Sequence, residues 1–161
     1  MLTILTAGKF LAPLMQTKIK PTEHKLEHNR VEILPTAVVC LVDDDPSVRK
    51  SGARLLEAAG FKVHVFGEPE SFLAHLAIHS VPVVLLDIWM EGMTGMEVLA
   101  HLCARSPQTR VIFITGHEDH GAQATVMQAG AFAFLIKPFD GQQLLALVRR
   151  ALETFLPGGN S

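Results

Sequence analysis

Two short apolar runs, each ended by acids, constrain this chain more than any other feature. Val38-Val39-Cys40-Leu41-Val42 closes on Asp43-Asp44-Asp45, and Val83-Val84-Leu85-Leu86 closes on Asp87. Apolar runs of this length, bounded by polar or turn residues, fit strands buried on both faces of a parallel sheet. In such sheets the chemistry gathers beyond the carboxyl ends of the strands. Two more runs end in the same manner, Val111–Ile114 at Thr115 and Phe132–Ile136 at Lys137. Acids, a hydroxyl and an ammonium at four strand ends describe one pocket.

Helical patterns fall between these runs. Asp45 is a candidate N-cap with Pro46 at the first helical position, and the face Val48, Leu55, Leu56 and Ala59 runs to a stop at Gly60. Val63–Phe66 reads as a second strand, and a helix carrying Phe72, Leu73 and Leu76 follows. Thr94-Gly95-Met96-Glu97 is a capping box opening the third helix. The fourth helix covers roughly 119–129. Asp140 with Gln143 resembles another box, opening a helix with Leu144, Val148, Ala151, Leu152 and Phe155 inward. Five strands alternating with five helices predict an α/β fold, a doubly wound parallel sheet spanning residues 37–156. Residues 1–36, with prolines at 13, 21 and 35, do not join the pattern and read as a loosely ordered extension. Residues 157–161 read as a C-terminal tail.

Charge sharpens the functional reading. Residues 1–36 hold five Lys/Arg against three acids, and residues 37–161 hold nine against thirteen. The mildly acidic folded part argues against a nucleic-acid surface and suits a site that takes a cation. No apolar run reaches the length of a membrane span. Cys40, inside a strand, and Cys103, inside a helix, are expected to be buried, reduced thiols in a cytoplasmic protein.

Clustered carboxylates repel, each pair by roughly 3 kcal/mol at about 5 Å and an effective dielectric of about 20. They stay ionised beside a cation, or one pKa rises. Oxygen-only ligands favour Mg²⁺ over Zn²⁺ or copper. A carboxylate beside Mg²⁺ can attack phosphorus and become an aspartyl-phosphate. A cation and a hydroxyl are then needed for the phosphoryl oxygens, and Lys137 and Thr115 supply them.

The segments VVCLVDDDPSVR, VVLLDIWMEGMTGMEVL, VIFITGH and QAGAFAFLIKPF resemble, in order and spacing, a response-regulator receiver domain of two-component signalling, of FixJ type. The resemblance implies a flavodoxin-like sheet of strand order 2-1-3-4-5 and a phosphoacceptor, Asp87. It implies Mg²⁺ held by Asp43, Asp44, Asp87 and the Trp89 backbone carbonyl. Lys137 would pair with the phosphoryl group and Thr115 would hydrogen-bond it. A cis peptide would join Lys137 to Pro138, and Phe134 would be the switch aromatic, moving as Thr115 is drawn inward. The implied partner is a sensor histidine kinase or phosphotransfer protein, with a homodimer through helix 4, strand 5 and helix 5 as a further possibility. Such a domain catalyses its own phosphorylation and dephosphorylation and has no turnover substrate.

Two departures stand out. Glu91 occupies a position where the family usually has proline, which adds negative charge to the loop and is expected to alter phosphoryl lifetime. Trp89 is bulky and a candidate shield against water. No DNA-binding domain follows in this sequence, so a single-domain receiver and a fragment of a longer regulator both stay open.

Other readings weigh against these. Asp45 is a helix cap before it is a metal ligand. His24/His28 and His75/His79 have helical i,i+4 spacing, and His117/His120 lie near the pocket; surface histidines are the simpler account. The uncharged stretch Gly121–Ile136 is either a well-buried segment or a partner surface. A phosphatase of the haloacid-dehalogenase type would need an acid where Trp89 stands. A docking module that is never phosphorylated predicts a broken pocket, and a flavodoxin would place phosphate against Asp43–Asp45.

Overall fold

The structure is a computed structural model that describes residues 36–116 and 120–155. Residues 1–35 of the extension, the tail, His24, His28 and His117 lie outside the described residues. Five strands, β1 (Val38–Val42), β2 (Lys62–Phe66), β3 (Val83–Leu86), β4 (Arg110–Thr115) and β5 (Ala133–Ile136), form one sheet in the order β2-β1-β3-β4-β5, and every pair is parallel. Helices α1 (Pro46–Ala58), α2 (Pro69–Leu76), α3 (Gly95–Arg105), α4 (His120–Gln128) and α5 (Gly141–Phe155) alternate with them.

The central strands β1, β3 and β4 are largely apolar on both sides because helices cover both. Cys40, Val42, Val84, Leu86, Val111 and Phe113 face one layer, closed by Phe72 of α2, Val98, Leu99 and Leu102 of α3, and Val126 of α4. Val39, Leu41, Val83, Leu85, Ile112 and Ile114 face the other, closed by Leu56 of α1 and Leu144, Leu145, Val148 and Ala151 of α5. The chain winds from β1 out to β2, then crosses to β3 on the opposite side. The switch point therefore lies between β1 and β3, where Asp43 and Asp87 emerge.

Local signals act where the sequence places them. Asp45 Oδ1 accepts the Ser47 N–H at 2.8 Å, and Pro46 opens α1. Gly60 follows α1 at φ 93°, a conformation that a Cβ would strain. Thr94 and Glu97 form the reciprocal capping box of α3. At α5 the cap differs from the expected box: Asp140 Oδ1 accepts the Gln142 N–H at 3.0 Å.

Cys103 corrects one expectation, since it is exposed. The buried stripe of α3 is Val98, Leu99 and Leu102, and one residue further turns the side chain about 100° away from it. Cys40 is buried, and burial pushes its thiol pKa up to about 12, which keeps it protonated and inert. The stretch Gly121–Ile136 is not uniformly buried either. Val126 is the one buried residue of α4, and Met127 is 41% exposed.

Candidate phosphoacceptor site

The loops after β1 and β3 bring three carboxylates together. One oxygen each from Asp43, Asp44 and Asp87 lies within 4.8 Å of the others, with Asp43 buried and Asp44 exposed. Backbone bonds fix the strand ends that carry them. The Asp87 N–H donates to Val42 O at 3.1 Å, and the Asp43 N–H donates to Phe66 O at 3.2 Å.

Asp43 is fully engaged. Its Oδ1 accepts the Asp45 N–H at 2.9 Å, and its Oδ2 receives Lys137 Nζ at 2.9 Å. Asp87 is held more loosely. Lys137 Nζ stands 3.9 Å from its Oδ2, and the Trp89 N–H reaches its Oδ1 at 3.4 Å. Burial raises the Asp87 pKa; Lys137 opposes the rise, Asp43 adds to it, and the Trp89 and Ile88 amides lower it. Lys137, reached from β5, thus lies between the two acids and nearer Asp43. The Lys137–Pro138 peptide bond is cis.

Thr115 ends β4. Its side chain is buried, and Oγ1 has no hydrogen-bond partner among the described residues. An unmet buried hydroxyl costs about 1–3 kcal/mol, so this atom is primed for an acceptor. The β4–β5 register pairs Phe113 with Phe134 and Thr115 with Ile136. Side chains alternate with period two, so Thr115 and Phe134 lie on the same sheet face. Phe134 is half-buried and packs against the α2–α3–α4 layer. Trp89 is 48% exposed and borders a cavity of about 370 Å³ with Ile88, Met96 and Ala122. Glu91 contributes more than charge: its N–H donates to Asp44 Oδ2 at 3.3 Å, a bond that proline could not make.

Three supports escaped the sequence reading. Arg49 Nη1 donates to Asp43 O at 2.7 Å, tying α1 to the acid-bearing turn. Gly95 donates its N–H to Ile88 O at 2.8 Å, and a Cβ there would collide with Asp87 O and come within 2.9 Å of Phe113 Cε1. The Glu91 amide is the third. An arginine one turn into a helix was the only signal for the first. Gly95 was visible only as part of the capping box.

The chemistry of the donor set fits a hard divalent cation: three carboxylates, no thiol and no imidazole. Asp43, Asp44 and Asp87 are the residues that would hold it.

This architecture and constellation define a class, the phosphoacceptor-type α/β domain with an acidic switch-point pocket. Residues 39–149 match the response regulator receiver domain family, and the chain belongs to that family, the receivers of two-component systems. It is 40% identical over 118 residues to the DNA-binding transcriptional regulator NtrC of Salmonella typhimurium, a match that takes in 73% of this chain and 25% of NtrC. It is 33% identical over 123 residues to the transcriptional regulatory protein FixJ of Bradyrhizobium diazoefficiens, covering 76% of this chain and 60% of FixJ. Among solved structures, full-length FixJ from B. japonicum superposes with a TM-score of 0.72 at 32% identity, covering 77% of this chain and 61% of that one. The BeF3-activated DrrB receiver domain superposes with a TM-score of 0.68 at 31% identity, covering 74% of this chain and 99% of that one. The chain thus spans a quarter of NtrC's length. No helix among the described residues is long and apolar enough to cross a membrane.

Proposed function

We propose that Asp87 accepts a phosphoryl group from the phosphohistidine of a sensor kinase or phosphotransfer protein, and that the phosphorylated chain changes its affinity for an output partner. What carries the reading is one observation: three converging carboxylates beside Lys137, with the buried Thr115 hydroxyl unpartnered. A carboxylate oxygen of Asp87 attacks phosphorus, the P–N bond to the donor imidazole breaks, and its electron pair leaves on nitrogen. Bound at Asp43, Asp44 and Asp87, with the Trp89 carbonyl as a further ligand, Mg²⁺ would neutralise the charge that develops on the phosphoryl oxygens. Lys137 swings from Asp43 toward the new dianion, and Thr115 donates its free O–H to a phosphoryl oxygen. Thr115 then vacates space on the face it shares with Phe134, and Phe134 moves into it.

The output surface in this reading is α4, β5 and α5. Exposed yet uncharged side chains on α4 support it, whether the partner is another protein or a second copy of the chain. The chain acts on itself alone and turns over no other substrate. A kinase partner that draws on ATP puts the chain in the cytoplasm.

The test is incubation with a small acyl phosphate and Mg²⁺, followed by intact mass measurement of wild type and Asp87→Ala. The wild type should gain one phosphoryl group, and the variant none. Equal labelling of the variant would remove Asp87 from the role.

A further inference from the structure

A second cluster of ligand-type side chains lies on β2 and α2, elements that carry none of the acidic pocket's carboxylates. His75 and His79 share the i,i+4 spacing, which the His79 N–H to His75 O bond of 3.0 Å carries past the end of α2. The fold adds a third imidazole that sequence spacing could not reveal. His64, on the edge strand β2, sets its ring 5.1 Å from that of His75 at 71°, and the His75 and His79 rings lie 4.3 Å apart. Phe66 packs on both Phe72 and His75, at 5.6 and 5.2 Å, so an aromatic wall limits the freedom of the central ring.

We propose that His64, His75 and His79 form a binding site for a borderline divalent transition ion such as Zn²⁺, Ni²⁺ or Cu²⁺, separate from the acidic pocket in both place and ion preference. Neutral imidazole nitrogen suits these ions and leaves Mg²⁺ to the oxygen site. His75 in α2 and His79 just beyond it, one turn apart through their backbone bond, give a chelating pair, and the strand histidine supplies the third ligand from a different element. Burial and the charges of His79 and His64 lower the His75 pKa, which keeps that ring in its ligating form. The ligand atoms do not yet converge: among the described residues, only Asp43, Asp44 and Asp87 meet within 4.8 Å. Rotation of the His64 and His79 rings must gather the imidazole nitrogens around His75, since they lie about 3.3 Å apart around an ion bound at about 2.0–2.1 Å. Each outer ring stands within side-chain reach of the central one, with centroids at 4.3 and 5.1 Å. His79 also borders a cavity of about 420 Å³. A bound ion would clip the end of α2 to the sheet edge.

The experiment is calorimetric titration of Zn²⁺ into the full chain, free of any histidine tag and in excess Mg²⁺ so that the acidic pocket is saturated. One Zn²⁺ should bind and raise the Tm. Binding should be lost in His75→Gln/His79→Gln and weakened about tenfold or more in His64→Gln, one ligand of three being worth at least a decade of affinity. His24→Gln/His28→Gln, the other pair at helical spacing, should bind like wild type. Absence of binding, or binding that survives the loss of His75 and His79, would overturn the site. An unchanged His64→Gln would overturn the three-ligand assignment. Should a variant misfold, wild-type protein titrated with Ni²⁺ decides the matter: the ring proton signals of His64, His75 and His79 must broaden before those of the other histidines.

Discussion

The two sides of the acidic pocket differ in how completely their polar groups are satisfied. On the β1–β3 side both Asp43 oxygens are taken, Arg49 holds the Asp43 carbonyl, and Gly95 lets α3 sit against the Asp87 carbonyl. On the β4–β5 side Thr115 Oγ1 is buried and unpartnered, Phe134 is half-buried, and α4 buries Val126 alone. By contrast, α5 on the opposite face buries Leu144, Leu145, Val148 and Ala151. One side is built to hold charged groups at fixed positions. The other keeps a hydroxyl and an aromatic ring available for a new arrangement, under a helix with a single fully buried side chain.

The largest effect should come from removing the cation that β5 sends across to satisfy Asp43. Lys137→Met leaves Asp43, only 2% exposed, without its cation, and should cost about 3 kcal/mol of metal-free stability in urea denaturation. Adding Asp43→Asn should recover most of that loss, since the cost lies in the uncompensated charge. On the unsatisfied side the sign reverses. Thr115→Val removes an orphaned hydroxyl and should stabilise the unphosphorylated protein by about 1 kcal/mol. The same variant should weaken the response to phosphorylation, read as a smaller spectroscopic change at Phe134.

The smallest effect is a pH dependence. The Asp87 pKa is raised above the ordinary 3.8, so the folded protein holds a proton that the unfolded chain has already released. Its contribution to stability is therefore fully present below pH 3.8 and is lost as pH rises through the raised value. Asp87→Asn should gain stability relative to metal-free wild type across that window and hold the gain to neutral pH. A Tm difference that stays flat with pH would show that Asp87 is not strained by burial.

Most of the fold was legible because four of the five strands, all but β2, are short apolar runs that stop at a polar or charged residue. Asp43, Asp87, Thr115 and Lys137 are read from that break alone. Caps were legible where a side chain bonds its own helix, as at Asp45 and Thr94. What stayed hidden depends on residues distant in sequence. Gly95 matters because the Asp87 carbonyl passes beside it, His64 because α2 folds back over β2, and the Glu91 amide because Asp44 lies across the loop. Cys103 was misjudged because hydrophobic character does not fix helical phase; the position of α3's buried stripe does.

Hydrogen exchange resolved along the chain, before and after acyl phosphate treatment in Mg²⁺, tests the division most directly. Protection should change in α4 and β5 while β1, β3 and α1 keep theirs, and Asp87→Ala should show no change anywhere. An equal response on both sides of the pocket, or a response that persists without Asp87, would contradict the account.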